Sequence, residues 1–265
     1  EICFSQCTAT LTASGADSYT WAPATGLSAT TGASVTANPT ETTTYTITGT
    51  NAQTGCTSTI MYTVIVNPLP EVKVSTDVAE VCFSQGVATL TASGADSYTW
   101  APATGLSVTT GASVSASPSE TTTYTVTGIN SATGCSSTAT ITIKVNPLPQ
   151  VNAGPDMAVC DDPTPLQLKA SPEGGVWSGE HVDANGTFIP NGKGEFILTY
   201  TYADANGCSN TDQMTVRVTE VAEAKVASKF IERCLNDGTF VLGASPAAGK
   251  WSGSKLVTED GTFTP

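Results

Sequence analysis

The chain has 265 residues, only 12% of them charged, and a formal net charge of −13. Ten Lys and Arg residues, of which only Lys73 and Lys144 fall in the first 150 positions, exclude the clustered basic surface that tracks phosphates, so nucleic acid is not an expected partner. No apolar run approaches the roughly 18 residues of a membrane-spanning helix, and the Thr-rich, β-branched composition reads as all-β, with no defensible helix.

The first element in chain order is a repeat. "GADSYTWAPATGL" at 15–27 returns letter for letter at 94–106, an offset of 79. Between Thr8–Thr50 and Val87–Ile129, seven of 43 positions differ. A catalytic site is built once per fold, whereas copying makes arrays. The first repeat covers residues 1–70 and the second 71–149, both closing on Asn-Pro-Leu-Pro, Asn67–Pro70 and Asn146–Pro149. Two prolines around one residue make a short, stiff, extended joint. A diverged third repeat occupies 150–220, and a partial fourth occupies 221–265, where Cys234, Trp251 and "GTFTP" echo Cys160, Trp177 and "GTFIP". The first repeat lacks the opening strand "EVKVST" of the second and the fourth lacks closing strands, so the 265 residues read as a window on a longer chain.

Within a repeat, "EVKVST", "ATLTAS", "SYTWAP", "ASVSAS", "TTYTVTG" and "STATITIKV" give six or seven short strands separated by Gly-rich turns. The last strand alternates most clearly. Ile60, Tyr62, Val64 and Val66 in the first repeat, Ala139, Ile141, Ile143 and Val145 in the second, and Met214, Val216 and Val218 in the third are expected on a packed face, with Thr, Lys or Arg on the wet one. The predicted architecture is a tandem series of small Ig-like or PKD-like β-sandwiches set end to end as an elongated rod. Trp21, Trp100, Trp177 and Trp251, with Tyr45 and Tyr124, are the expected core anchors.

Eight cysteines point to an oxidising compartment, and none forms the close CxxC pair of zinc or thioredoxin chemistry. Cys3 and Cys56 stand 53 apart, as do Cys82 and Cys135, while Cys160 and Cys208 stand 48 apart. The spacing predicts one disulfide per complete domain, Cys3–Cys56, Cys82–Cys135 and Cys160–Cys208, with Cys7 and Cys234 unpaired.

The frame Cys…Trp…Tyr…Cys, with "SYTWAPATGLS", "TTTYTVTG", "ATGCSSTATITIKVNPLP" and "DANGCSNTD", resembles the Ig-like and PKD-like repeats of giant Bacteroidota surface proteins, the gliding-motility adhesins of the SprB type above all. The resemblance covers nearly the whole chain. It implies an extracellular stalk or adhesin segment, exported by the type IX secretion system and arrayed in surface filaments, and no catalytic residue.

Little else in the chain suggests chemistry. His181, the only histidine, sits in a loop of the third repeat, and no GxSxG elbow accompanies it. "GASPAAGKW" has one residue too many between its glycines, and a Trp after its Lys, for a phosphate loop. Calcium is the one cofactor that the loops suggest. Asp183, Asn185 and Asp204 are its candidate ligands, with Asn206, Asp156, Asp161 and Asp162 beside them, although Asp-Ala-Asn-Gly is equally an ordinary turn sequence. The function expected is therefore non-enzymatic: an extracellular strut, attached at the outer membrane or secreted, that spaces and transmits force to an adhesive region. Its partners are then neighbouring repeats and an unidentified extracellular ligand. A glycan- or protein-binding Ig-like module and an accessory region of a secreted hydrolase are the alternatives.

Overall fold

The computed structural model describes residues 1–220, 224–226, 232, 238–245, 250–253 and 255–263. Every regular element among them is a strand, so no helix crosses a membrane. The chain divides into two compact units, Glu1–Leu148 and Pro149–Pro265. Among the described residues three hydrophobic cores occur, each drawn from one repeat.

The second repeat is the most complete. Lys73–Thr76, Ala88–Ser93 and Ser113–Ala116 form one antiparallel sheet with Ala88–Ser93 in the middle. Ser97–Ala101, Thr122–Ile129, Ser136–Asn146 and Glu80–Cys82 form the other, in that order, the last pair parallel. The two layers close over Leu90 and Val114 on one side and Trp100, Tyr124, Val126 and Ile143 on the other, all buried. The chain crosses from one sheet to the other between Thr76 and Glu80, which is the edge-strand switch of an Ig-like sandwich. On the outer face Thr123 and Thr142, directly opposite in register, share a 2.8 Å hydrogen bond, which explains what dense Thr does on a wet sheet.

Local chemistry fixes the long connections. The buried Tyr124 hydroxyl donates to the Thr104 carbonyl at 2.8 Å, and Trp100 Nε1 donates to the Gly111 carbonyl at 2.9 Å. Tyr45 to Thr25 (2.6 Å) and Trp21 to Gly32 (2.8 Å) repeat both bonds in the first repeat. A buried aromatic polar tip needs such a partner, and here the partner is a loop carbonyl. Burial raises the pKa of the Tyr45 and Tyr124 hydroxyls and keeps them as donors.

The first repeat copies this plan with a gap. Ala9–Thr12 pairs with Ser34–Ala37 alone, and Ser18–Ala22, Thr43–Thr50 and Thr57–Val64 make the facing sheet. The alternation expected of its last strand is corrected here: Val64 is buried and Val66 half-buried, but Ile60 and Tyr62 are 68% and 57% exposed. The physical reason is an uncovered core edge, for nothing among the described residues packs where Val72 and Val74 pack in the second repeat. In the second and third repeats the alternation is present, with Ile143, Met214, Val216 and Val218 buried.

The third repeat sets Met157–Cys160 parallel to Ser209–Thr219, followed by Gly194–Ala203 and Val176–Ser178, over a core of Leu168, Trp177, Phe188, Leu198 and Tyr200. Of the fourth, the pairs Lys225–Val226 with Ala244–Ser245 and Phe240–Val241 with Thr262–Phe263 are described. Trp251 there is half-buried against Gly261, whereas Trp21, Trp100 and Trp177 are buried.

Candidate functional site

The feature with most chemical content is the joint between the first two repeats. Cys3 ends the two-residue strand Ile2–Cys3, which runs parallel to Val66–Asn67 with Cys3 opposite Asn67. Phe4 N–H donates to the Asn67 carbonyl at 3.0 Å, and a turn then folds back through Ser5, whose φ is +54°. Cys3 is thereby held at the end of the repeat where the Pro-Leu-Pro joint begins.

Cys135 approaches from the other side. Asn130 Oδ1 accepts from the N–H groups of Ala132 (3.0 Å) and Thr133 (3.1 Å), and Gly134 turns the chain at φ +72°. Asn130 N–H closes the loop on the Cys135 carbonyl at 2.8 Å. This Asx-type turn delivers Cys135 to the start of Ser136–Asn146. Cys3 and Cys135 are joined by a disulfide, with Cα atoms 5.5 Å apart and a sequence separation of 132. Around it Gln6 Nε2 donates to the Ser136 carbonyl at 2.8 Å. The Pro70 carbonyl accepts from Ser137 Oγ at 2.5 Å and from Val72 N–H at 3.1 Å. Cys135 is fully buried.

This overturns the expected pairing within each repeat. Cys3–Cys56 is not formed, since Cys3 bonds Cys135 and Cys56 is a free, exposed thiol. Cys82–Cys135 is excluded by the same bond, and Cys160–Cys208 is not formed because Cys160 is free and exposed while Cys208 is disulfide-bonded. Cys82 is also disulfide-bonded, and Cys7 is free and exposed. Cys234 lies outside the described residues.

Geometry forbids the intra-repeat bond. Cys82 stands opposite Asn146, and Cys135 precedes the other end of that 11-residue strand. At about 3.3 Å per residue the two are about 36 Å apart, against a Cα limit near 7 Å for a disulfide. Spacing alone had no power here, because an offset of 79 added to a spacing of 53 gives 132 and fits the next repeat equally well.

Beside Cys82, Glu80 Oε2 accepts from Asn146 Nδ2 at 2.8 Å and from Lys144 Nζ at 3.1 Å. The Asn146 bond, then Lys144, hold the Glu80 carboxyl below its ordinary range. The ion pair is exposed and ties a strand end rather than forming a reactive centre.

The remaining acidic candidates accept hydrogen bonds from the backbone. Asp183 Oδ1 accepts from the N–H groups of Asn185 (2.9 Å) and Thr187 (2.8 Å), and the Thr187 bond lowers its pKa. Asp204 Oδ1 accepts from Asn206 (2.9 Å) and Cys208 (2.9 Å). Asp156, Asp161 and Asp162 likewise accept from Thr215, Gly192 and Thr164. Asp162, Asp183 and Asp204 brace local turns, Asp156 and Asp161 tie segments 59 and 31 residues away, and no group of three or more His, Cys, Asp or Glu suited to a metal occurs among the described residues. His181, at φ +61°, meets the Phe196 ring edge-on at 4.9 Å, a packing role.

No protein-family model matches the chain, and no curated protein sequence matches it. Solved structures that it is similar to include extracellular domains 3–5 of Drosophila OTK, at 13% identity over 83% of this chain and 94% of that one, with a TM-score of 0.30. Titin domains I67–I69 give 11% identity over 82% and 94%, with a TM-score of 0.36. A Ca2+-stabilized adhesin of an Antarctic bacterium that binds ice gives 16% over 94% and 78%, with a TM-score of 0.38.

Proposed function

We propose that this chain is a load-bearing stalk segment of a long extracellular surface adhesin, whose modules are the repeats 1–70, 71–149, 150–220 and 221–265. The observation that carries the reading is the Cys3–Cys135 bond. A pull along the polypeptide passes from Cys3 through the sulfurs to Cys135, so the 132-residue separation is removed from the load path. At about 3.4 Å per extended residue, about 450 Å of chain is sheltered from extension. Persistent structural disulfides also favour an oxidising, extracellular setting. The finer assignment, a SprB-type gliding adhesin exported by the type IX system and forming filaments at the cell surface, is supported by the wording of the repeats alone.

Stretching the 265-residue chain from its two ends, with and without reductant, tests the reading. Reductant is expected to add at least about 450 Å of contour length. Equal contour lengths under both conditions would sink it.

A further inference from the structure

The turn that carries Cys3 to the joint is written "CFSQC" at 3–7 and "CFSQG" at 82–86, so a thiol stands where the second repeat has a glycine. The backbone is otherwise the same. Phe4 N–H to the Asn67 carbonyl (3.0 Å) matches Phe83 to Asn146 (2.9 Å), and Gln6 N–H to the Cys3 carbonyl (3.2 Å) matches Gln85 to Cys82 (3.1 Å). Ser5 and Ser84 share one left-handed conformation, at φ +54° and +55°. A Cβ on Gly86 would stand 2.7 Å from Val81 Cβ and 3.3 Å from the Cys82 amide nitrogen. Cys7 fills that place in the first repeat, so its sulfur is one bond beyond a carbon set against the Cys3 backbone. Gln6 Nε2, donating to the Ser136 carbonyl, holds the turn on the residue after Cys135. Cys7 is an exposed free thiol, Cys3 is half-buried and Cys135 is fully buried.

We infer that Cys7 is a resident nucleophile for the Cys3–Cys135 bond, able to take over Cys3 and release the bridge with no added reductant. The inference needs that bond but not the stalk reading. The Cys7 thiolate attacks Cys3 Sγ; the Cys3–Cys135 bond breaks, a Cys3–Cys7 bond forms, and Cys135 leaves as a thiolate that takes up the proton Cys7 lost. One disulfide and one thiol stand on each side, so nothing is oxidised or reduced overall. Burial of Cys135 directs the attack to Cys3. The relaxed molecule holds the original pairing. Under a pull on the chain ends the bridge is taut, while the residues after Cys3 lie inside the bridged loop and stay slack. The nucleophile therefore keeps its freedom to approach while the bond is loaded, and the exchange lengthens the chain instead of cutting it. Cys56 lies in the same loop but 53 residues from Cys3 rather than four, so its effective concentration at the bond is far lower.

The test is a constant-force stretch of the whole 265-residue chain without added thiol, in a Cys56→Ser background, with Cys7 and with Cys7→Gly. Glycine is the residue the second repeat carries in the same turn, so the variant keeps the fold. With Cys7 a delayed lengthening step is expected, its waiting time at least about tenfold shorter than in Cys7→Gly. Dithiothreitol is then expected to release the bond in both chains. Equal waiting times for the two chains, or a step seen only with dithiothreitol, would overturn the exchange and leave the stalk reading intact. No step even with dithiothreitol would show that the bond carries no load, and would overturn both.

Discussion

The first two repeats differ at few positions, yet they are not equivalent objects. Cys135 is buried and bonded, while Cys56, at the end of the same Asn-Gly turn, is an exposed thiol. Gly94 is pressed against Glu71, while Gly15 faces open space. Ala139 and Ile141 are half-covered, while their counterparts Ile60 and Tyr62 are exposed. The repeat sequence sets the fold of a module, but two things that complete it, a covering strand and a cystine, come from outside the stretch the repeats share. A small sandwich buries little surface by itself, so these additions are a large share of its stability.

Four experiments sharpen or break that contrast. The largest effect is expected from Cys3→Ser with Cys135→Ser. Closing a loop of 132 residues is worth up to about 5 kcal/mol on the chain-entropy account. Unit 1 should melt lower by about 10 °C or more in calorimetry, and Cys56→Ser should leave the melt unchanged. Next, Gly94→Ala should cost about 1–3 kcal/mol more than Gly15→Ala in denaturant titrations, since both residues have positive φ but only one is covered. Equal costs would mean that the strand at Gly94 is not packed. Tyr45→Phe and Tyr124→Phe should each cost about 1 kcal/mol and match one another, because their loop bonds are alike.

The smallest effect concerns acid. Asp77, whose Oδ1 accepts from Thr89 N–H at 2.7 Å, and Glu80 both titrate below their ordinary values of 3.8 and 4.5. Depressed carboxylates contribute stability above their unfolded pKa and lose it as pH falls through the folded value. The second repeat should therefore lose part of its advantage in hydrogen-exchange protection from roughly pH 5 downwards. A constant advantage down to pH 2 would show that these bonds add nothing.

Much of the fold is legible in the sequence because period two and turn residues are local. The alternation of Ile141, Ile143 and Val145 against Thr142 and Lys144 already states which face is covered. The alternation at Ile60 and Tyr62 does not by itself bury them; the strand that covers their counterparts in the second repeat has no match among the described residues of the first, as the lack of an "EVKVST" segment in residues 1–70 already indicates. The cystine pairing is ambiguous in the sequence for a reason of its own. A tandem repeat makes every long-range spacing ambiguous by one period, and only the parallel pairing of Cys82 with Asn146 shows that the two cysteines of a module lie at opposite ends. One clue was present, for the second cysteine of each repeat opens the last strand rather than ending it. The sequence does not say that Asp183 and Asp204 each turn Oδ1 onto backbone N–H groups, because a turn and a ligand loop share the Asp-Ala-Asn-Gly wording.

The bond from Cys3 to Cys135 also bears on survival among proteases. A single nick anywhere between these cysteines leaves two fragments that are still one covalent molecule. A linear array without such a bond is severed by any cut, whereas a cut between these two cysteines severs this chain only once the bridge is reduced. Damage to the intervening loops would therefore accumulate without loss of whatever lies further along the chain.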